Sequence, residues 1–130
     1  MSKIYFQGIY GAYSHLAALS LEKDAEIIPC KTFDDCFINA SKEANSKIII
    51  PESNRITGNI GIEYLIFKYR LNIYAECFQK IEHNLLGLPG TRVENIKNIY
   101  SHAQALSQCS KFIKTNNLIE HVRADTAGSA

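Results

Sequence analysis

Apolar positions along this chain change their spacing in a way that separates strands from helices. Ile4-Tyr5-Phe6, Glu26-Ile27-Ile28-Pro29 and Lys47-Ile48-Ile49-Ile50 are short, dense apolar runs of the kind strands make. Between them the apolar residues return at three- and four-residue intervals. Tyr13, Leu16, Ala17 and Leu21 define the inner face of one helix, and Phe33, Cys36, Phe37 and Ala40 that of a second. Ser14 is the candidate cap of the first. Thr32-Phe33-Asp34-Asp35 opens the second as a capping box with Asp in the usual Glu position. The unbroken Lys47–Ile50 run predicts a strand buried on both faces of a parallel sheet, ending at Pro51. A third helix is expected from about Ile60, burying Ile62, Leu65, Ile66 and Tyr69.

The alternation then breaks. Asn72 to Lys80 predicts a long strand and His83 to Leu88 another, closed by a Gly87-Leu88-Pro89-Gly90 turn. Two strands in succession mark a crossing between lobes, so the chain divides into a first lobe, 1–79, and a second, 80–130. His83 on the crossing is either a pocket residue or a packed, hydrogen-bonded one. Further on, Ile96 and Ile99-Tyr100 make a brief strand. Ala105, Leu106, Cys109, Phe112 and Ile113 then share one helical face, with Ser101 as N-cap and His102 and Gln104 in the first turn. Glu120 to Arg123 is a last short strand, followed by a helix start capped by Asp125 or Thr126.

Strands alternating with helices imply an α/β fold with right-handed crossovers. Ligands of such sheets bind beyond the carboxyl ends of the strands. The loops after Phe6, Ile50 and Tyr100 lie at such ends and are polar. Gln7-Gly8-Ile9-Tyr10-Gly11 is either an anion cradle or a tight turn. In Pro51–Gly58, Asn54 and Arg55 can hold a carboxylate through an amide and a bidentate fork, or serve as a turn residue and a solvated cation.

Composition narrows the classes. The chain has 130 residues, 46% of them hydrophobic, enough for one domain or two small lobes. A net charge of +1 from scattered Lys and Arg argues against nucleic acid and acidic membranes but leaves room for a small anion. The four cysteines show no metal-like spacing and read as buried, inert thiols. With neither a signal peptide nor a bilayer-spanning run in view, the expected location is cytoplasmic.

Several of these stretches together resemble the catalytic domain of the prephenate dehydratases. Phe6-Gln-Gly-Ile-Tyr-Gly-Ala-Tyr-Ser-His15 is similar to the family's Gln-Gly-x-x-Gly-Ala-Tyr-Ser opening, and Ile50-Pro-Glu-Ser-Asn-Arg-Ile-Thr-Gly58 to its Pro-x-Glu-Asn-Ser-x-x-Gly loop. Glu76 through Leu86 resembles its Glu…Ile-x-His-x-Leu-Leu strand pair. Ser101-His-Ala-Gln-Ala-Leu-Ser-Gln-Cys109 is similar to Ser-His-Pro-Gln-Ala-Leu-x-Gln-Cys, and Asp125-Thr-Ala-Gly-Ser-Ala130 to Asp-Thr-Ala-Gly-Ala-Ala.

The resemblance implies a two-lobed α/β fold like the type-II periplasmic binding proteins, incomplete at the C-terminus, with the site in the cleft. It implies conversion of prephenate to phenylpyruvate with loss of water and carbon dioxide, on the way to phenylalanine. No metal or organic cofactor is needed for that reaction. By position, Asn54 and Gln104 are amide ligands of the substrate, Arg55 stands beside them, and Ser14, Ser101, His102 and Thr126 line the cleft.

The departures are specific. The family's Glu-Asn-Ser is Ser53-Asn54-Arg55 here, and its Ser-His-Pro-Gln carries Ala103. The family's Thr-Arg-Phe motif, with its acid-catalytic threonine, lies beyond Ala130, as does the regulatory domain often appended, so no catalytic residue is assigned. The alternatives to an active dehydratase are a silent relative that binds a small carboxylate, or an oligomeric remnant. A homodimer or larger assembly is expected, because an incomplete lobe exposes apolar surface and strand edges.

Overall fold

The computed structural model describes residues 2–54, 58–59 and 61–130. The chain forms two compact units, Met1–Lys80 and Ile81–Ala130, each an α/β arrangement with its own parallel sheet.

In the first unit, β1 (Lys3–Gln7) lies between β2 (Glu26–Cys30) and β3 (Ser46–Ile49), both parallel to it. Side chains of a strand alternate between faces. Tyr5 accordingly packs with Cys30, Cys36 and Ala40 under helix α2 (Phe33–Ser41), while Phe6 stacks on His15 of helix α1 (Tyr13–Leu21). Each face of the sheet thus receives a helix. The strand with a buried centre is β1, at Ile4–Phe6, rather than the Lys47–Ile50 run: β3 is half-buried along its length, because it is an outer strand of the described sheet.

Pro29 sits in β2, also an outer strand, where its missing N–H leaves no gap in the ladder. The carbonyl of Ile27 in the same strand accepts a hydrogen bond from the Tyr10 hydroxyl at 3.1 Å.

The capping box forms as expected. Thr32 Oγ1 accepts from Asp35 N, and Asp35 Oδ2 accepts from Thr32 N, each at 3.1 Å. Phe37 of α2 stacks on Tyr69 at 5.6 Å and so ties α2 to α3 (Glu63–Lys68), where Leu65 is buried and Ile66 and Tyr69 are half-buried. In α1, by contrast, Ala17 and Ala18 are the buried residues, and Leu16 and Leu21 are exposed. Small side chains let the helix approach the sheet closely, and that turns the leucines outward. Nor does Ser14 cap it: Ala12 is the N-cap, and Ser14 lies inside the first turn.

Three further expectations change. Residues 72–88 form no strand: they follow an irregular path, with Ile73, Tyr74, Leu86 and Leu88 exposed and Phe78 95% exposed. Alternating side chains do not make a strand without a partner for the backbone, and none lies alongside among the described residues. The Pro51–Gly58 loop contains a short antiparallel pair, β4 (Ser53–Asn54) with β5 (Gly58–Asn59). Of the cysteines, Cys30 and Cys36 are buried and Cys109 half-buried, but Cys77 is exposed. Burial, and then the neighbouring Cys30, pushes the Cys36 thiol up, which keeps it protonated and inert.

In the second unit, β6 (Asn98–Ser101) pairs in parallel with β7 (Ile119–Val122). The single helix expected between them is two, α4 (Ala103–Gln108) and α5 (Ser110–Thr115), meeting at Cys109. Backbone bonds from Cys109 N to Ala105 O (3.1 Å) and Ile113 N to Cys109 O (3.0 Å) carry the helical ladder across the joint. Leu106, Ile113 and Leu118 form the core, flanked by Ile96, Ile99 and Cys109; Phe112, expected on the buried face, is exposed.

Surface ion pairs give the first unit a pH signature. The Lys47 ammonium, then the Ser2 hydroxyl, hold the Glu22 carboxyl below its ordinary 4.5, and Lys3, 2.9 Å from Glu43, does the same there. A depressed carboxylate favours the folded state above its unfolded value, and that contribution is lost as pH falls through the folded one. The urea midpoint of the wild type is therefore expected to drop below pH 4.5 more steeply than that of Glu43→Gln. Parallel pH profiles would remove the assignment. Both pairs face solvent, so the difference is small.

Candidate functional site

Because β6 and β7 are parallel, their carboxyl ends meet at one sheet edge, where Ser101 pairs with Val122. The backbone N–H of Arg123 donates to Ser101 O at 2.8 Å and carries the ladder one residue further. That bond keeps Ser101 extended, as the last residue of the strand, so it is not the helix cap. His102 takes that role: its Nδ1 accepts from Gln104 N at 3.2 Å, which leaves the proton of a neutral ring on Nε2. Ser101 and His102 are half-buried, and Gln104 is exposed.

The segment after β7 returns to the same edge. Asp125 caps a 3-10 turn, Ala127–Ser129, that packs against β6. Its Oδ1 accepts from Gly128 N, and its carbonyl accepts from Ser129 Oγ at 2.7 Å. A Cβ on residue 128 would stand 2.7 Å from Asp125 Oδ1, so the close approach requires the glycine. Of the two candidate caps Thr126 holds the N-cap position without a side-chain cap bond, while Asp125 supplies the capping carboxylate; Thr126 is exposed. Ser101, His102, Gln104 and Thr126 thus gather at the carboxyl edge of β6–β7. They offer hydroxyl, imidazole and amide groups suited to a carboxylate or a carbonyl.

The remaining predicted residues belong to the first unit. Half-buried Ser14 follows the loop after β1, and Asn54 lies in β4 beyond the end of β3. Arg55 lies outside the described residues. The glycine loop is a tight turn, and three of its backbone donors are engaged within the protein. Gly8 N bonds Cys30 O (3.0 Å), Gly11 N bonds His15 Nδ1 (3.1 Å) and Ala12 N bonds Ile9 O (3.1 Å). Positive φ at Gly8 (125°) and Gly11 (93°) makes those contacts possible. The His15 ring is clamped against Phe6 and Tyr10, at 5.7 and 5.2 Å.

His83 is hydrogen-bonded to Gln108 Oε1 at 2.7 Å. Two open grooves, one along Glu63 to Ile73 and one along Gln108 to Asn116, contain none of the predicted site residues. Among the described residues no group of His, Cys, Asp and Glu is gathered to hold a metal ion. No helix among them is long and apolar enough to cross a membrane. The sequence reading missed the stack of Tyr100, His121 and Arg123 on the β6–β7 sheet. Its only signal is the strand register, which two separate short runs do not reveal.

Comparison with known proteins places this geometry. The sequence model of the prephenate dehydratase family matches residues 4–130. Arogenate dehydratase/prephenate dehydratase 1, chloroplastic, of Arabidopsis thaliana is 40% identical over 131 residues, covering 98% of this chain and 33% of that protein. The chain therefore spans about a third of the length of the curated relatives it matches. Among solved structures, one described as a novel type of quorum quenching acylase, GqqA, superposes with a TM-score of 0.82 at 32% identity, over 97% of this chain and 46% of that one. Prephenate dehydratase from Staphylococcus aureus gives 0.72 at 22% identity, over 98% and 49%, a likeness of fold. With the family model matched along nearly its whole length, the chain belongs to the prephenate dehydratase family.

Proposed function

We propose that this chain binds prephenate, or its amino counterpart arogenate, and takes part in its dehydration and decarboxylation. The observation that carries the reading is the gathering of Ser101, His102, Gln104 and Thr126 at the carboxyl edge of a parallel strand pair. In the reaction the bond from the ring to its carboxylate breaks. The electron pair aromatises the ring, and the ring hydroxyl leaves with a proton as water, so carbon dioxide, water and phenylpyruvate are formed. Amide and hydroxyl donors hold the carboxylates and the keto group, and a general acid assists the hydroxyl. The proposal extends to a two-lobed, periplasmic-binding-protein-like fold with residues 1–79 and 80–130 as its lobes; Ser14, Asn54 and Arg55 are the candidate ligands of the first and the other four those of the second. The chemistry calls for no metal or organic cofactor.

The test is phenylpyruvate release from prephenate by the purified chain, with arogenate run in parallel. Turnover is expected, reduced roughly tenfold to a hundredfold in Gln104→Ala and in Asn54→Ala, the scale of a lost hydrogen bond to a charged group. Saturable binding without turnover would leave a silent carboxylate-binding relative; neither turnover nor binding would sink the proposal. The same preparation is expected to sediment as a dimer or larger, given the exposed apolar side chains along residues 64–88. A monomer at micromolar concentration would overturn that part. A second reading, acylase activity, rests on the 0.82 superposition with a quorum quenching acylase. Release of the acyl chain from an acylated signal, without action on prephenate, would favour it.

A further inference from the structure

The face of the β6–β7 sheet opposite Ile99 carries an ordered stack. Helices α4 and α5 cover the Ile99 side through Leu106 and Ile113, and alternation along the strand turns Tyr100 the other way. Register places Tyr100 beside His121, and their rings stack at 4.6 Å with an interplanar angle of 17°. His121 Nε2 is hydrogen-bonded to Asn98 Oδ1 at 2.9 Å; the amide oxygen accepts, so Nε2 carries the hydrogen. The guanidinium of Arg123 lies over the Tyr100 ring, 4.8 Å from its centre. The backbone of Arg123 is fixed by its N–H bond to Ser101 O. The arginine is thus tethered at both ends, by its main chain to the site strand and by its head group to an aromatic platform.

Stacking uses the flat face of a guanidinium and leaves its edge of N–H donors open. Among the described residues no carboxylate pairs with it. The ion pairs Lys3–Glu43, Lys47–Glu22 and Lys68–Asp34 do not involve it, and the neighbouring Asp125 has its carboxylate on Gly128 N. A cation with an open fork, held where parallel sheets receive ligands, matches a carboxylate in charge and in geometry. We infer that Arg123 binds a carboxylate of the substrate, with Tyr100 as its positioning residue. This assignment rests on the dehydratase reading of the same sheet edge.

Calorimetric titration of the full chain with prephenate, and separately with phenylpyruvate, tests it. Arg123→Met is expected to weaken binding of both about tenfold or more, and Arg123→Lys by less, because charge survives while the fork is lost. Tyr100→Leu removes the platform and is expected to weaken binding roughly two- to fivefold. Lys111→Met, an exposed charge on α5, controls for net charge. Where turnover is measurable, the loss in Arg123→Met falls on KM rather than kcat, and millimolar guanidinium restores part of it. A merely structural arginine would give neither effect. Binding by the wild type that persists unchanged in Arg123→Met overturns this inference and leaves the proposed function standing. No saturable binding by the folded wild type overturns both.

Discussion

Replacing Phe37 by alanine is expected to cost about 3–5 kcal/mol of folding free energy, the largest stability effect of any single substitution considered. Phe37 is 1% exposed, and it joins two helices: it is part of α2, and its ring stacks on Tyr69 just beyond α3. Truncation removes both the buried ring and the only aromatic contact described between those elements, and leaves a void that helices anchored to a sheet cannot close. Against a typical domain stability of about 5–15 kcal/mol, such a loss consumes a large part of the total. Urea unfolding followed by circular dichroism at 222 nm reads it directly. Phe67→Ala serves as the reference, since that ring is 88% exposed and its loss is expected to shift the midpoint little. Equal midpoints for the two variants would refute the packing described for α2.

Leu106→Ala is expected to cost about 2–5 kcal/mol, and to remove ligand binding along with stability. Leu106 is 3% exposed and, with Ile113 and Leu118, makes up the buried centre of the second unit. It stands on α4, whose first turn carries the His102 cap and Gln104. A small core has few contacts to share the loss, so loosening Leu106 frees the very turn that presents the polar groups. Binding of prephenate to Leu106→Ala should fall together with the unfolding midpoint, whereas Phe112→Ala, on the exposed side of α5, should leave both close to wild type. Binding that survives in a destabilised Leu106→Ala protein would show that the turn is held by something else.

What could be read from the sequence was what local chemistry decides. The Thr32–Asp35 box is complete within four residues, and the dense apolar runs at Ile4, Ile27 and Ile48 lie within the strands they predicted. Ser101, His102 and Gln104 are neighbours in sequence, so their proximity was visible too. What failed depended on partners distant in the chain. Ser101 reads as a cap until Arg123 N, twenty-two residues on, claims its carbonyl and extends the strand. Residues 72–88 carry a strand's alternation but gain no ladder among the described residues. The faces of α1 and α5 were misjudged because large apolar side chains were given priority, whereas close approach to the sheet selects Ala17 and Ala18, and the small core of the second unit leaves Phe112 exposed. The Arg123 stack follows from register alone, which a one-dimensional pattern does not contain.

The outer strand β2 gives the first sheet a direction of growth. Cys30 turns its carbonyl inward to Gly8, so the alternate residues Ile27 and Pro29 are the ones that face away from β1. Proline offers no donor there, and the Ile27 acceptor is already taken by the Tyr10 hydroxyl. A newcomer strand would find only the Ile27 N–H and the Pro29 carbonyl on that side, too few for a continuous ladder. Any extension of this sheet, within one chain or between two, is therefore directed to the β3 margin, and assembly through it has a polarity set by one proline and one phenol.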